Sequence, residues 1–326
     1  MRTILLAVIA LLAALEGRAG DFSRGAAGTS GSQFLTFDTS ARGIAMAGAY
    51  VTASDDASSI YWNPAGLTRV RSVSATVLHA PYLADITYNA AAAALRMNHD
   101  SVVAAGLRYL DMGSIPETDV NGLPRGDFHP RAYVAELAWG QHVPDLSETG
   151  SEFSLGANIK YLQTDIGARA SAVAGDIGLL SRIERRFIYD MGVTVQNIGS
   201  GQKFDKVRDS LPTRVRVGAG IRPIKPLLLT IEGIAPFSNA LHGAAGAEYT
   251  LTIDEDIQTS ARAGFNSLTY QSLGPSSALS MGFGVTAFNL SFDYAFAPSG
   301  ELGAAIHRIS LSFNLPELNS IRSSRR

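Results

Sequence analysis

Between residues 72 and 315 the chain divides into about fourteen short segments in which apolar and polar residues alternate. Alternation with period two places successive side chains on opposite faces of a strand. In the last segment Ile309, Leu311, Phe313 and Leu315 point one way, and Ser310, Ser312 and Asn314 the other. Val215, Val217, Ala219 and Ile221 likewise oppose Arg214, Arg216, Gly218, Gly220 and Arg222. Leu290, Phe292, Tyr294 and Phe296 oppose Ser291, Asp293 and Ala295, while Phe153, Leu155, Ala157, Ile159 and Tyr161 oppose Ser154, Gly156, Asn158 and Lys160. Each pattern predicts a strand with one apolar and one polar face. Only residues 90–94, all alanine, are too uniform to show their faces.

A soluble sandwich alternates too, so the discriminating feature is where the charges fall. Arg108, Glu136, Lys160, Arg216, Glu232, Glu248, Arg262 and Asp293 lie mid-strand on the polar side. Charges there suit a water-filled lumen, with the apolar faces turned to lipid. A sheet in lipid must also close, because an open edge would leave unpaired backbone groups without water. The connections alternate in length, as such barrels require of inner turns and outer loops. They are short at 97–101, 182–186, 222–226, 254–256 and near Ala287, and long at 111–130 and 198–211; only 141–151 breaks the rule. If the segment before the first strand begins in the periplasm, strand one runs outward. The expected fold class is all-β, a transmembrane antiparallel β-barrel of about fourteen strands over 72–315, with twelve or sixteen left open by the strand boundaries.

Composition sharpens this picture. Arg2, an apolar run over 4–15 and Gly17-Arg18-Ala19 predict a cleavable signal peptide over 1–19, the run being too short for a membrane-spanning helix. With no cysteine, disulfides and thiolate metal sites are excluded. Charged residues are 17% and hydrophobic ones 46%, and the mean hydropathy is +0.10, a shift that a lipid-facing band explains. A net charge of −2 gives no basic field, so a nucleic-acid partner is excluded. The six histidines have neither His-x-x-x-His spacing nor paired carboxylates, so no metal is expected. Gly282-Phe283-Gly284-Val285-Thr286-Ala287 fits a dinucleotide fingerprint, yet it lies in an alternating strand followed by another strand, and glycines lining a tight lumen explain it better. No nucleophile elbow is present; neither an enzyme activity nor a cofactor is predicted.

Residues 20–71 differ from the rest, being rich in Gly, Ala and Ser without sustained alternation. Asp55-Asp56-Ala57-Ser58-Ser59-Ile60-Tyr61 predicts a short helix capped by an Asp, and Pro64 forces Asn63 out of helical geometry. Small residues such as Gly43, Ala45, Ala47, Gly48 and Ala49 permit close packing in a confined space. The expected role is an N-terminal hatch or plug; a flexible periplasmic arm is the competing reading.

Gly28-Thr29-Ser30-Gly31-Ser32-Gln33-Phe34-Leu35, then residues 41–50 (Ala-Arg-Gly-Ile-Ala-Met-Ala-Gly-Ala-Tyr), then Asp55 through Trp62-Asn63-Pro64-Ala65-Gly66-Leu67 resemble the opening of the PorV/PorQ family. That family is similar to FadL-type outer-membrane transporters, fourteen-stranded barrels with an N-terminal hatch, and Asn63, Pro64 and Ala65 match the hatch motif of that superfamily. The resemblance implies a non-enzymatic protein of the outer membrane of a Gram-negative-type bacterium, surrounded by outer-membrane lipid. Its implied role is type IX secretion, and its implied partners are a secretion-pore component or secreted cargo, with the two long outer loops as a docking surface. The rival implication is a FadL-like transporter of hydrophobic small molecules, in which Phe34, Leu35, Phe37, Ile44 and Met46 would contact the ligand. A basic stretch over 316–326, with Arg322, Arg325 and Arg326, follows the last strand and is expected to be a periplasmic C-terminal tail.

Overall fold

The computed structural model describes residues 20–82, 85–146, 151–298 and 305–316. The expected signal peptide, and the expected tail beyond Pro316, lie outside the described residues. Among the described residues fourteen strands close into one barrel. They begin with β1 (Val73–Pro81), β2 (Thr87–Arg96), β3 (Ser101–Asp111) and β4 (Arg131–His142). The long β5 (Ser151–Asp165) and β6 (Arg169–Glu184), then β7 (Ile188–Gly199) and β8 (Arg214–Ile224), follow. β9 (Leu227–Pro236), β10 (His242–Thr252), β11 (Ile257–Asn266), β12 (Leu279–Ala287), β13 (Leu290–Pro298) and β14 (Ala305–Asn314) complete the wall. Each strand pairs antiparallel with its chain neighbours. The first and last meet from Ser74↔Asn314 to His79↔Ile309, which leaves the sheet no free edge.

The two faces separate cleanly. Val77, Leu107, Leu137, Ile159, Val173 and Ile231 are exposed on the outside, an apolar surface that water would not tolerate and lipid would. In the alanine run Ala91 and Ala93 turn outward, while Ala90 and Ala94 are buried inside. The glycine-rich 282–287 stretch is part of β12, and a Cβ on Gly282 would run into Ala45, so these glycines make room in the lumen.

One end of the barrel carries the tight turns 97–100, 185–187, 225–226, 253–256 and 288–289. The other end carries the long connections. That over 112–130 holds a small hairpin, Ile115–Thr118 with Pro124–Phe128, and that over 200–213 pairs Gln202–Lys203 with Arg208–Asp209. A third long connection, 267–278, was not separated in the sequence; it contains a helix, Ser267–Leu273. Asn266 caps it by accepting from the Leu268 N–H, and Gly274, at φ 87°, stops it.

The segment from Gly20 to the start of β1 runs through the lumen. The Asp21 N–H donates to the Phe237 carbonyl and the Gly31 N–H to the Ser210 carbonyl, both at the long-loop end. Arg69, near its close, meets Asp190 at the short-turn end. The expectation that the segment begins at the short-turn end is therefore corrected. It enters among the long loops and traverses the barrel, which is why β1 still starts at the short-turn side. Its own regular structure is slight: α1 (Ala41–Ala45), α2 (Ser59–Trp62) and a few 3₁₀ turns, including Pro64–Arg69. The expected Asp cap is also corrected, because α2 begins only at Ser59. Asp56 instead accepts from the Ser58 N–H and hydroxyl, closing a turn before the helix.

Wall glycines let this irregular chain approach closely. A Cβ on Gly156 would overlap the Pro64 and Ala65 backbone, and one on Gly264 would overlap Met46 and Ala47. Since the obstacle is backbone, neither side can yield cheaply. Gly156→Val is expected to lower the stability of the enclosed segment by about 1–3 kcal/mol, the usual cost of overpacking. Limited proteolysis within 40–70 at unchanged barrel yield measures this; resistance equal to the parent protein would contradict it.

Candidate functional site: the polar lumen and its enclosed segment

The eight mid-strand charges are all buried on the inner wall. Arg108 Nε lies 2.6 Å from Glu136 Oε1, and Arg216 pairs with Glu232. Arg262 bridges Glu248 and Asp293, each at 2.6 Å. Lys160 Nζ is 2.7 Å from Asp176 Oδ2, a partner that sequence reasoning missed. Arg108, Lys160 and Arg216 each neutralise one wall carboxylate, whereas Glu248 and Asp293 share Arg262, and the second cation at Glu248 is Arg42 of the enclosed segment. Buried pairs of this kind add little net stability, but removing one partner is costly because a bare charge is left behind.

Polar wall side chains also serve the backbone of the enclosed segment. Turns within the segment bond many of its backbone groups internally, and the buried N–H and C=O groups they leave over find partners on the wall. Glu232 Oε2 accepts from the N–H groups of Tyr50 and Val51, both at 3.0 Å. Thr230 donates to the Ala49 carbonyl at 2.7 Å, Arg216 to Gly48 at 2.6 Å, and Asn158 to Ile60 at 2.8 Å. Gln196 donates to the Tyr61 carbonyl, and Ser74 accepts from the Ala57 N–H at 2.9 Å. Arg42 adds a bidentate grip on Glu248, 2.7 and 2.8 Å, and binds Asp55 at 2.7 Å.

Asn63 is the most connected residue of the Asn63-Pro64-Ala65 triplet. Pro64 keeps it extended, at φ −160° and ψ 108°, and its side chain is fully buried. Oδ1 accepts from the Ala65 N–H at 3.1 Å, while Nδ2 donates to the carbonyls of Val51 (3.2 Å) and Leu179 (3.0 Å). One amide thus caps the following 3₁₀ turn and joins two stretches of the segment to the wall. Ala65 packs tightly beneath Gly156.

Of the apolar residues suggested as ligand contacts, the structure brings together Phe34, Leu35, Phe37 and Ile44 but not Met46. Phe34, Leu35 and Ile44 are buried against Leu78, Tyr88, Leu110, Val134 and Leu162, with Phe37 packed beside them. Met46 belongs to another cluster with Tyr50, Tyr61, Trp62 and Leu228. Arg216 stands over the Trp62 ring at 5.0 Å, and Arg108 and Arg214 over Tyr61, at 5.3 and 5.8 Å. A void beside Tyr61, Ile60 and Arg108 measures only about 10 Å³. Further residues that hold the segment, among them Arg42, Arg69, Asn158, Asp190 and Gln196, gave no sequence signal beyond polar placement on an inward strand face or isolated charge in a small-residue stretch.

A closed fourteen-strand antiparallel barrel with an apolar exterior and a paired-charge interior, occupied by its own N-terminal chain, defines an outer-membrane type of β-barrel protein. The family model for "Type IX secretion system protein PorV" matches residues 23–226, and the chain belongs to that family, a type IX secretion-associated outer-membrane barrel. No curated protein sequence matches it significantly. Among solved structures it is similar to the toluene transporter TbuX of Ralstonia pickettii, at 11% identity and a TM-score of 0.55, covering 86% of this chain and 100% of that one. The toluene transporter TodX of Pseudomonas putida has 10% identity and a TM-score of 0.51, covering 83% and 95%. A FadL homologue of Pseudomonas aeruginosa has 8% identity and a TM-score of 0.51, covering 85% and 98%. At such identities the likeness concerns the fold.

Asn63→Ala should weaken the seating of the segment by about 2–3 kcal/mol, because it leaves buried carbonyls and an N–H without partners. Asn63→Asp should not restore it, since a carboxylate cannot donate to Val51 and Leu179; thermal melting in detergent distinguishes the outcomes. Asp56 provides a pH test. Burial, reinforced by Asp55, raises its carboxyl above the ordinary 3.8, against the hydrogen bonds from Ser58. A raised carboxyl pKa gives stability that is complete below 3.8 and lost as pH rises through the folded value. Asp56→Asn should therefore melt higher than the parent at neutral pH, with the difference vanishing below pH 3.8.

Proposed function

We propose that this protein is a non-enzymatic, plugged barrel that handles cargo at the cell surface during type IX secretion. It sits in the outer membrane of a Gram-negative-type bacterium with its long-loop end outward. Residues 20–71 are the plug, 72–315 the barrel, 1–19 the signal peptide and 316–326 a periplasmic tail. The observation that carries this reading is the filled lumen. A PorV-family barrel whose interior is occupied by its own hydrogen-bonded chain offers its surfaces, not its bore, to partners.

The partner is a secretion-pore component or secreted cargo, met by the connections 111–130 and 198–211. Exposed Ile115, Val120, Leu123 and Val207 on those connections give an extended segment apolar contacts, and the hairpins offer strand edges. Transport of hydrophobic small molecules finds less support. Of the residues that would line a ligand site, Phe34, Leu35, Phe37 and Ile44 fill one packed cluster and Met46 belongs to another. The ladder from β1 through β4 is continuous, from Val73↔Leu95 to Asp111↔Arg131, although the register of β6 on β7 shifts between Gly175 and Ile177.

Replacing 113–129 by a tight turn should leave a barrel that still shifts on heating in electrophoresis while cargo disappears from the cell surface. Gene deletion should give the same loss of surface and secreted proteins. Unchanged profiles in the deletion strain would refute the role.

A further inference from the structure

At the short-turn end the lumen opens into a polar vestibule of about 1080 Å³. On its wall, three arginines converge on one carboxylate. Asp190 of β7, fully buried, is met by Arg182 of β6 through Nε at 2.9 Å and Nη2 at 3.3 Å, and by Arg222 of β8 through Nη1 at 2.7 Å. Arg69, from the enclosed segment, adds Nη2 at 2.6 Å and donates Nη1 to the Thr52 carbonyl. Three cations on one anion leave two positive charges uncompensated.

Holding Asp190 does not require this many partners. Arg182 alone is bidentate, so the carboxylate would remain satisfied without either of the others. Among the described residues Arg222 spends only Nη1 in a hydrogen bond, and all three arginine side chains stay partly exposed, 13–23%. A fourth arginine, Arg96, lines the same vestibule and donates only to the carbonyls of Thr68, Val70 and His99. The nearby acids offset the excess only in part. Asp55, itself held by Arg42, is felt by Arg69 and Arg182; Glu152, the cross-strand neighbour of Arg182, acts on it without an ion pair among the described residues; and Glu255 and Asp256 lie three strands further round from Asp190. Burial, and beyond it the Arg182 and Arg222 charges, pull the Arg69 guanidinium below its ordinary range despite Asp190, as expected of cations crowded together.

We propose that Arg69, Arg182 and Arg222 form a binding site for a compact oxyanion, a phosphate or a carboxylate, entering from the short-turn mouth. Asp190 fixes the guanidinium planes, and the free donors present the fork geometry that such oxyanions fit. Because Arg69 belongs to the enclosed segment while its partners belong to the wall, a bound oxyanion also ties the two together and stabilises their contact by mass action. The inference is independent of the secretion role and can fail while that role stands.

The test uses the full-length protein in detergent at low ionic strength. Inorganic phosphate is titrated calorimetrically in one arm, and in the other a short neutral peptide with a free C-terminal carboxylate, against its amide. Saturable binding in either arm, with a rise in melting temperature, is expected, and the arm that responds assigns the source. Arg222→Gln should weaken binding at least tenfold while leaving the unliganded melting temperature nearly unchanged, since Asp190 keeps Arg182 and Arg69. Arg185→Gln, on the adjoining turn, should leave binding intact. No saturable binding in either arm, or equal loss in both variants, would overturn the proposal.

Discussion

The structure depends on hydrogen bonding from the inner wall to a chain that satisfies only part of its own backbone. Residues 20–71 contain only four- and five-residue α-helices and short 3₁₀ turns, which bond many backbone groups internally but leave others to find partners on the wall. Glu232, Thr230, Asn158, Gln196 and Ser74 supply partners from the wall. The barrel needs polar side chains inside, and the segment needs polar partners outside itself. Each requirement meets the other, and glycines such as Gly156 let the backbones come close enough.

Charge plays a different part. Glu136, Asp176, Asp190, Glu232, Glu248 and Asp293 each have a cation on the wall itself. The segment adds to this neutralisation at Glu248, where Arg42 joins the Arg262 that Glu248 shares with Asp293. Its grip comes from backbone hydrogen bonds, apolar packing of Phe34, Leu35, Ile44 and Leu67, and the added contacts of Arg42 and Arg69. A lumen filled in this way is consistent with a family whose members act in secretion.

Much of this was legible in the sequence because a barrel wall writes its geometry directly into period-two alternation. Ser310 and Ser312 against Ile309 and Leu311, or Lys160 against Ile159 and Tyr161, give the inward and outward faces without further information. The connection lengths likewise gave which end carries the tight turns. What could not be read has a common physical cause. Asp190 gathers Arg69, Arg182 and Arg222 from places up to 153 residues apart, and such contacts follow from barrel register and segment path, which no local pattern encodes. The segment's entry among the long loops is hidden for the same reason, since its hydrogen bonds to Phe237 and Ser210 are long-range. The helix Ser267–Leu273 was a different failure. Seven residues are too few for a periodicity to stand out.

Backbone amide hydrogen exchange in a lipid nanodisc tests the central claim most directly. With the segment bonded to the wall, amides such as those of Tyr50, Val51, Ala57 and Ala65 should exchange as slowly as those of the barrel strands. Exchange throughout 40–70 as fast as in the connection 112–130 would contradict a lumen filled and held by this chain.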